Sequence, residues 1–98
     1  AMIEKLGDGF RVTGTMLVAD ATALLEAGRS LLQGAGAGSV MVVDLSSVEE
    51  TDSSALGVVF GLLRTARQLD VALRIAHPPA SMISLAALYG VSDSLPLA

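Results

Sequence analysis

The chain has 98 residues, no cysteine and a formal net charge of −4, which indicates one small domain and excludes disulfides, thiolate chemistry and cysteine-based zinc sites. Its six basic residues are scattered and aromatic residues make up only 3%, so the basic patch and stacking side chains that bind nucleic acids are absent. No apolar run approaches the roughly 20 residues that cross a bilayer, and we therefore predict one cytosolic domain over residues 2–98, without direct membrane insertion.

Hydrophobic residues nevertheless make up 52% of the chain. A domain this small has little interior in which to hide them, so some must lie at the surface as an interaction patch. This excess favours a protein partner and is also compatible with weak self-association.

The first half of the chain predicts a hairpin and a helix. Residues 2–6 and 9–14 are extended segments joined by Gly7-Asp8-Gly9, a strong signal for an antiparallel turn. From Asp20 to Gln33, apolar or small residues recur every three or four positions. Asp20 is the predicted N-cap of this helix, and Gly34 is its predicted stop.

The second half alternates strands with helices. The continuous apolar run Val40–Val43, ending in Asp44, is typical of a central strand covered on both faces. A helix from Ser53 to Leu69, a strand from Val71 to Ala76 and a helix from Ala80 to Tyr89 follow. The resulting β-β-α-β-α-β-α order predicts an α/β fold with a mixed four-stranded sheet, with the helices mainly on one face.

Two adjacent serines, Ser53 and Ser54, stand where the second helix begins. One interpretation is structural, because Asp52 or Ser53 would cap the free N–H groups of the first turn. The other is regulatory, because a phosphate at a helix N-terminus meets a favourable dipole. Glu49 and Glu50 oppose that charge, so phosphorylation of Ser53 would act as a disruptive switch.

The second helix also carries an apolar arc of about 200°, which is wider than one sheet face requires. Small residues border this arc. Packing against neighbouring helices is one explanation, and a docked protein partner is the other. The predicted partner surface comprises Ser53, Ser54, Gly57, Val58, Gly61 and Leu62, with Ser81 at the start of the third helix as a weaker candidate.

Catalytic and cofactor signals are weak. His77 is the only histidine and precedes two prolines in a predicted loop. Asp44 and Asp52 both lie near the carboxyl end of the predicted central strand, where α/β proteins place their sites, so a small enzyme that uses this carboxylate pair is a further alternative. There is no GxxxxGK phosphate loop and no calcium-loop spacing. We therefore predict a protein that is not an enzyme and that needs no cofactor or metal.

The segments Asp44-Leu45-Ser46 and Asp52-Ser53-Ser54-Ala55-Leu56-Gly57 resemble the STAS domains of anti-sigma factor antagonists. The resemblance implies the STAS fold and makes Ser53 the candidate phosphosite of an anti-sigma factor kinase. The segment Leu85-Ala86-Ala87-Leu88-Tyr89-Gly90, followed closely by Leu95-Pro96, is similar to the MlaB-like branch of the family. That branch implies a subunit that binds an MlaF-like ATPase of a phospholipid-transporting ABC system, peripheral to the inner membrane, in the maintenance of outer-membrane lipid asymmetry.

Overall fold

The computed structural model describes residues 1–98 as a four-stranded sheet with three α-helices. The elements in chain order are β1 (Met2–Leu6), β2 (Gly9–Met16), α1 (Ala21–Gln33), β3 (Val40–Thr51), α2 (Ser53–Gln68), β4 (Ala72–Ala76) and α3 (Ala80–Leu88), with short 3₁₀ turns at Val18–Asp20 and Ser92–Ser94.

The strands lie side by side in the order β1-β2-β3-β4. The first pair is antiparallel, and β2 with β3 and β3 with β4 are parallel. Helix α1 connects β2 to β3, and α2 connects β3 to β4, so each helix crosses over between adjacent strands. The predicted mixed sheet and element order are confirmed.

The β1–β2 hairpin turns over two residues, Gly7 and Asp8, because Leu6 pairs with Gly9. Gly7 has a φ of +57°, which glycine adopts without steric cost. Gly9 belongs to β2 rather than to the turn, and a Cβ there would overlap the carbonyl oxygen of Val42. The predicted hairpin is confirmed, with strands that end at Leu6 and begin at Gly9, and β2 runs two residues further than predicted, to Met16.

Strand β3 differs from its prediction in length and in coverage. It continues past Asp44 to Thr51, because two irregularities in its pairing with β2 let it run on with extra residues. Met41 and Val43 are buried, whereas Val40 is 56% exposed. The prediction that both faces are covered is wrong, because the buried side chains of this strand alternate with exposed or half-buried ones.

Helices α1 and α2 lie against the buried sheet face and against each other. Gly28 of α1 faces Leu62 of α2, and Gly61 of α2 faces Leu25 of α1. The core side chains include five that are almost completely buried: Phe10, Leu32, Leu45, Ile75 and Met82. The opposite sheet face is open, as the predicted placement of the helices on one face requires.

Only α2 has a side-chain cap at its start, and both α2 and α3 are followed by a residue with positive φ. Asp20 and Gly34 flank α1 at its N-cap and C-cap positions, as predicted, although the Asp20 side chain makes no capping hydrogen bond to the helix. Asp70 after α2 and Gly90 after α3 have φ values of 56° and 69°. In both cases the N–H of the next residue, Val71 or Val91, bonds back across the last turn, which is the Schellman arrangement.

The C-terminal residues complete the far edge of the sheet. Helix α3 packs against α2 and β3, and Met82 of α3 is fully buried. Beyond it, Leu97 forms a parallel bridge with Ile75 of β4. None of the helices combines the length and apolarity that a bilayer crossing needs.

Candidate functional site

The start of α2 is fixed by the two carboxylate oxygens of Asp52. Oδ1 accepts the N–H of Ser54 at 2.8 Å, and Oδ2 accepts the N–H of Val18 at 3.0 Å. Asp52 itself is extended, with φ −126° and ψ −170°, as N-cap residues usually are. One side chain therefore caps α2 and ties it to the turn after β2, which confirms Asp52 among the predicted caps.

A second carboxylate holds the same turn from the other side. Asp20 accepts the hydroxyl of Thr15 at 2.7 Å and the N–H of Leu17 at 3.0 Å. These two bonds, the Thr15 hydroxyl first, hold the pKa of Asp20 below its usual value. The turn thus donates consecutive N–H groups, from Leu17 and Val18, to two different acidic side chains.

The Ser53 hydroxyl is exposed and makes no hydrogen bond within the chain, because Asp52 has taken the capping role. Ser54 is half-buried beside it. A group that is held by a rigid helix start but is not used in the fold is free to contact a partner or to be modified. Glu49 and Glu50 are exposed just before it, so the surroundings of Ser53 are acidic.

Only half of the predicted partner surface is accessible. Ser53 and Gly57 are exposed and Ser54 is half-buried, whereas Val58 and Leu62 are only 4% and 3% exposed and Gly61 is buried. Gly61 and Leu62 face α1, and Val58 belongs to the core cluster. The expectation that these three residues lie at the surface is wrong, and packing between helices explains the wide apolar arc.

The accessible half borders a shallow groove between the first turns of α1 and α2. Ala21, Thr22 and Leu25 line one side, and Ser54 and Gly57 line the other. A Cβ on Gly57 would meet no atom within 4 Å, so this glycine leaves open space above α2.

Two residues at this end of the sheet were absent from the predicted surface. Val18 is 72% exposed although its N–H is bound by Asp52, and Thr22 lines the groove. Both follow β2, which lies beside β3. Their place near the site could have been predicted from the sequence, because the loops that follow adjacent parallel strands lie at the same edge of the sheet.

Ser81 lies closer to the site than its position in the sequence suggests. Its hydroxyl shares a hydrogen bond with the hydroxyl of Thr51, two residues before Ser53. The start of α3 is thereby anchored to the end of β3. The contact of Ser81 with a partner stays a prediction.

The carboxylate pair considered from the sequence does not come together. Asp44 and Asp52 are separated by eight residues of extended chain, roughly 25 Å at the usual rise of a strand. Asp44 instead pairs with Arg11 at 3.1 Å, and the N–H of Ser46, followed by contacts with its hydroxyl and Arg11, keeps the pKa of Asp44 below its usual value. His77 is exposed in a loop.

The sequence matches a known protein family. A family model described as "Mlab, STAS domain" matches residues 7–97. The chain belongs to the STAS domain family. This STAS domain is also 32% identical over 50 residues to the Haemophilus influenzae protein named "Intermembrane phospholipid transport system binding protein MlaB". That match covers 51% of this chain and 48% of the relative, about half the length of each.

Solved structures of other proteins share the fold of this STAS domain. A putative anti-sigma factor antagonist from Thermotoga maritima aligns with a TM-score of 0.75 and 16% identity, over 98% of this chain and 83% of that one. The phosphorylated form of the Bacillus cell fate determinant SpoIIAA gives 0.69 and 17%, over 99% and 89%. The unphosphorylated anti-sigma factor antagonist SpoIIAA gives 0.64 and 17%, over 86% and 78%.

Proposed function

We propose that this STAS domain is a non-enzymatic subunit that binds and supports the ATPase of a phospholipid-transporting ABC complex at the inner membrane. The relative from Haemophilus influenzae is named as a binding protein of an intermembrane phospholipid transport system, and this supports the choice of system. The observation that carries a binding role is the exposed Ser53 hydroxyl, which is presented by a helix start that Asp52 fixes.

The proposed contact surface is the accessible part of the α2 start, namely Ser53, Ser54 and Gly57. Ser54 and Gly57 line the groove that Thr22 also lines, and Ser53 directly precedes Ser54. The surface is shallow, with open space over Gly57, and such a shape suits a protein surface better than a small substrate. Val58, Gly61 and Leu62 support it from below by fixing α2 against α1, and they have no direct contact role in this proposal.

The experiment is a binding titration with the purified ATPase subunit of the transporter from the same organism. Ser53→Glu adds a charge at the centre of the surface, and Gly57→Gln fills the open space. Both changes are exposed and should leave the fold intact while weakening binding at least tenfold. Ser30→Glu, on an exposed part of α1, is the matched control and should bind normally. Normal binding by both site variants would refute the surface.

The free hydroxyl of Ser53 also favours a second candidate, an antagonist of an anti-sigma factor that a serine kinase switches by phosphorylating Ser53. A new charge there would be repelled by Glu50 and Asp52 nearby, so it would release a partner. Incubation with the cognate kinase and ATP separates the two functions. Stoichiometric modification of Ser53 is required by the switch and not by the transporter subunit.

A further inference from the structure

A second groove lies away from the α2 start, between the outer side of α2 and the 3₁₀ turn that follows α3. Its lining combines apolar side chains with two arginines: Phe60, Leu63, Arg64, Arg67, Val91 and Ser94. Phe60, Leu63 and Val91 are half-buried, and both arginines are exposed. The groove therefore has apolar side chains at its base and two exposed arginine side chains at its edge.

Neither arginine has a partner within the chain. The structure contains two ion pairs, Ala1 with Asp20 and Arg11 with Asp44, and no side-chain hydrogen bond involves Arg64 or Arg67. Arg67 lies in the last turn of α2, where a cation is favourable for the helix dipole. Arg64 lies one turn earlier, so the dipole does not account for it. Lys5 and Arg74 are also unpaired, but Arg64 and Arg67 are the two unpaired cations that lie together on one groove.

We infer that this groove binds an acidic amphipathic helix of a protein partner. From Phe60 to Arg67 the helix axis rises about 10 Å, which is two turns of a helix lying alongside. Arg64 and Arg67 are three residues apart, so they match carboxylates that lie one turn apart on the partner. An apolar side chain on the same face of that helix contacts Phe60 and Leu63.

The charges around the groove favour such a local ligand over an extended anionic surface. Asp70 lines the depression adjoining Arg67, and Asp93 precedes Ser94 in the 3₁₀ turn. A membrane or a nucleic acid carries a continuous array of negative charge that would also meet these two carboxylates. A single helix places its carboxylates only at the arginines. The groove and this ligand do not depend on the identity of the partner of Ser53.

The test uses synthetic helical peptides of about 15 residues as probes. One peptide carries two glutamates a turn apart beside leucines, and the second carries lysines in place of those glutamates. Binding is followed by amide chemical shifts. We expect the acidic peptide to shift Phe60, Val91 and Ser94, and the double variant Arg64→Glu/Arg67→Glu to lose about tenfold in affinity. The lysine peptide should bind that double variant better than it binds the unchanged protein.

Arg74→Glu is the matched control, because Arg74 is exposed on the open sheet face and its charge is remote from the groove. It should bind the acidic peptide normally. Vesicles of phosphatidylglycerol provide the competing ligand. Sedimentation of the protein with these vesicles but no binding of the acidic peptide overturns the inference. Binding that is indifferent to the arginine changes, or no binding of either peptide, overturns it as well.

Discussion

The contact of Gly28 with Leu62 predicts how tightly α1 and α2 are held together. A Cβ on Gly28 would lie 2.6 Å and 3.0 Å from the two methyl carbons of Leu62. Leu62 is only 3% exposed, so it cannot turn into solvent to make room. Gly57 is the matched control, because it lies within α2 and its Cβ would meet nothing within 4 Å.

The two alanine substitutions should therefore have different outcomes. Replacing a helix-interior glycine by alanine ordinarily stabilises a helix by about 0.8–1 kcal/mol, and Gly57→Ala should give this full gain. Gly28→Ala should give the same gain but should also overpack the core, which costs about 1–3 kcal/mol. The free energies of unfolding of the two variants should differ by about 1–3 kcal/mol, with Gly57→Ala the more stable.

Urea denaturation with a parallel thermal melt measures this difference, since about 1 kcal/mol shifts the Tm of a domain this size by roughly 4–8 °C. Leu62→Val shortens the opposing side chain, so the cost of Gly28→Ala should fall in that background. If Gly28→Ala stabilises as much as Gly57→Ala, or if Leu62→Val leaves its effect unchanged, the close approach of the two helices is refuted.

Three further predictions concern acidic residues. Asp52→Ala should lower the free energy of unfolding by about 1–2 kcal/mol because the α2 cap is lost, whereas Asp52→Asn, which also caps, should lower it less. Asp70→Gly should raise the Tm, because Asp70 has a φ of 56° that glycine adopts more easily; an unchanged or lower Tm would contradict this. Asp44 has a lowered pKa, so it stabilises the fold above its unfolded pKa and loses this effect as the pH falls through its folded pKa. The stability difference between the unchanged protein and Asp44→Asn should therefore be steady above about pH 5 and shrink below about pH 4. A difference that stays constant down to pH 2 would contradict it.

The elements that local patterns determine were predicted well. Helix α2 begins at Ser53, as predicted, and ends within one residue of the expected Leu69, because its periodicity and its cap are both encoded nearby. Strand β3 was truncated at Asp44 in the prediction, because its continuation depends on bulged pairing with β2. That pairing is a property of two strands, so the apolar run of β3 alone does not reveal it.

The positions of the candidate site residues were also predicted correctly only where nearby sequence determines them. Ser53, Ser54 and Gly57 were found from adjacent residues and are accessible in the structure. Leu62 was assigned to the surface because its position on α2 lies beyond the arc that a sheet covers, but α1 covers it instead. Val18 was missed because it joins the site only through the neighbouring strand. Helical periodicity shows which side of a helix is apolar, but it does not identify the element that buries this side.

The steady strand order β1-β2-β3-β4 has a consequence for folding. Each strand pairs with the strand made just before it, so no strand has to wait for a later part of the chain to find its neighbour. Pairing between successive strands limits each parallel crossover to a single helix, which keeps the loops that must close short for a sheet with two parallel pairs. The chain entropy lost in closing the sheet is therefore small for this topology, and the bridge from Leu97 to Ile75 closes its last edge.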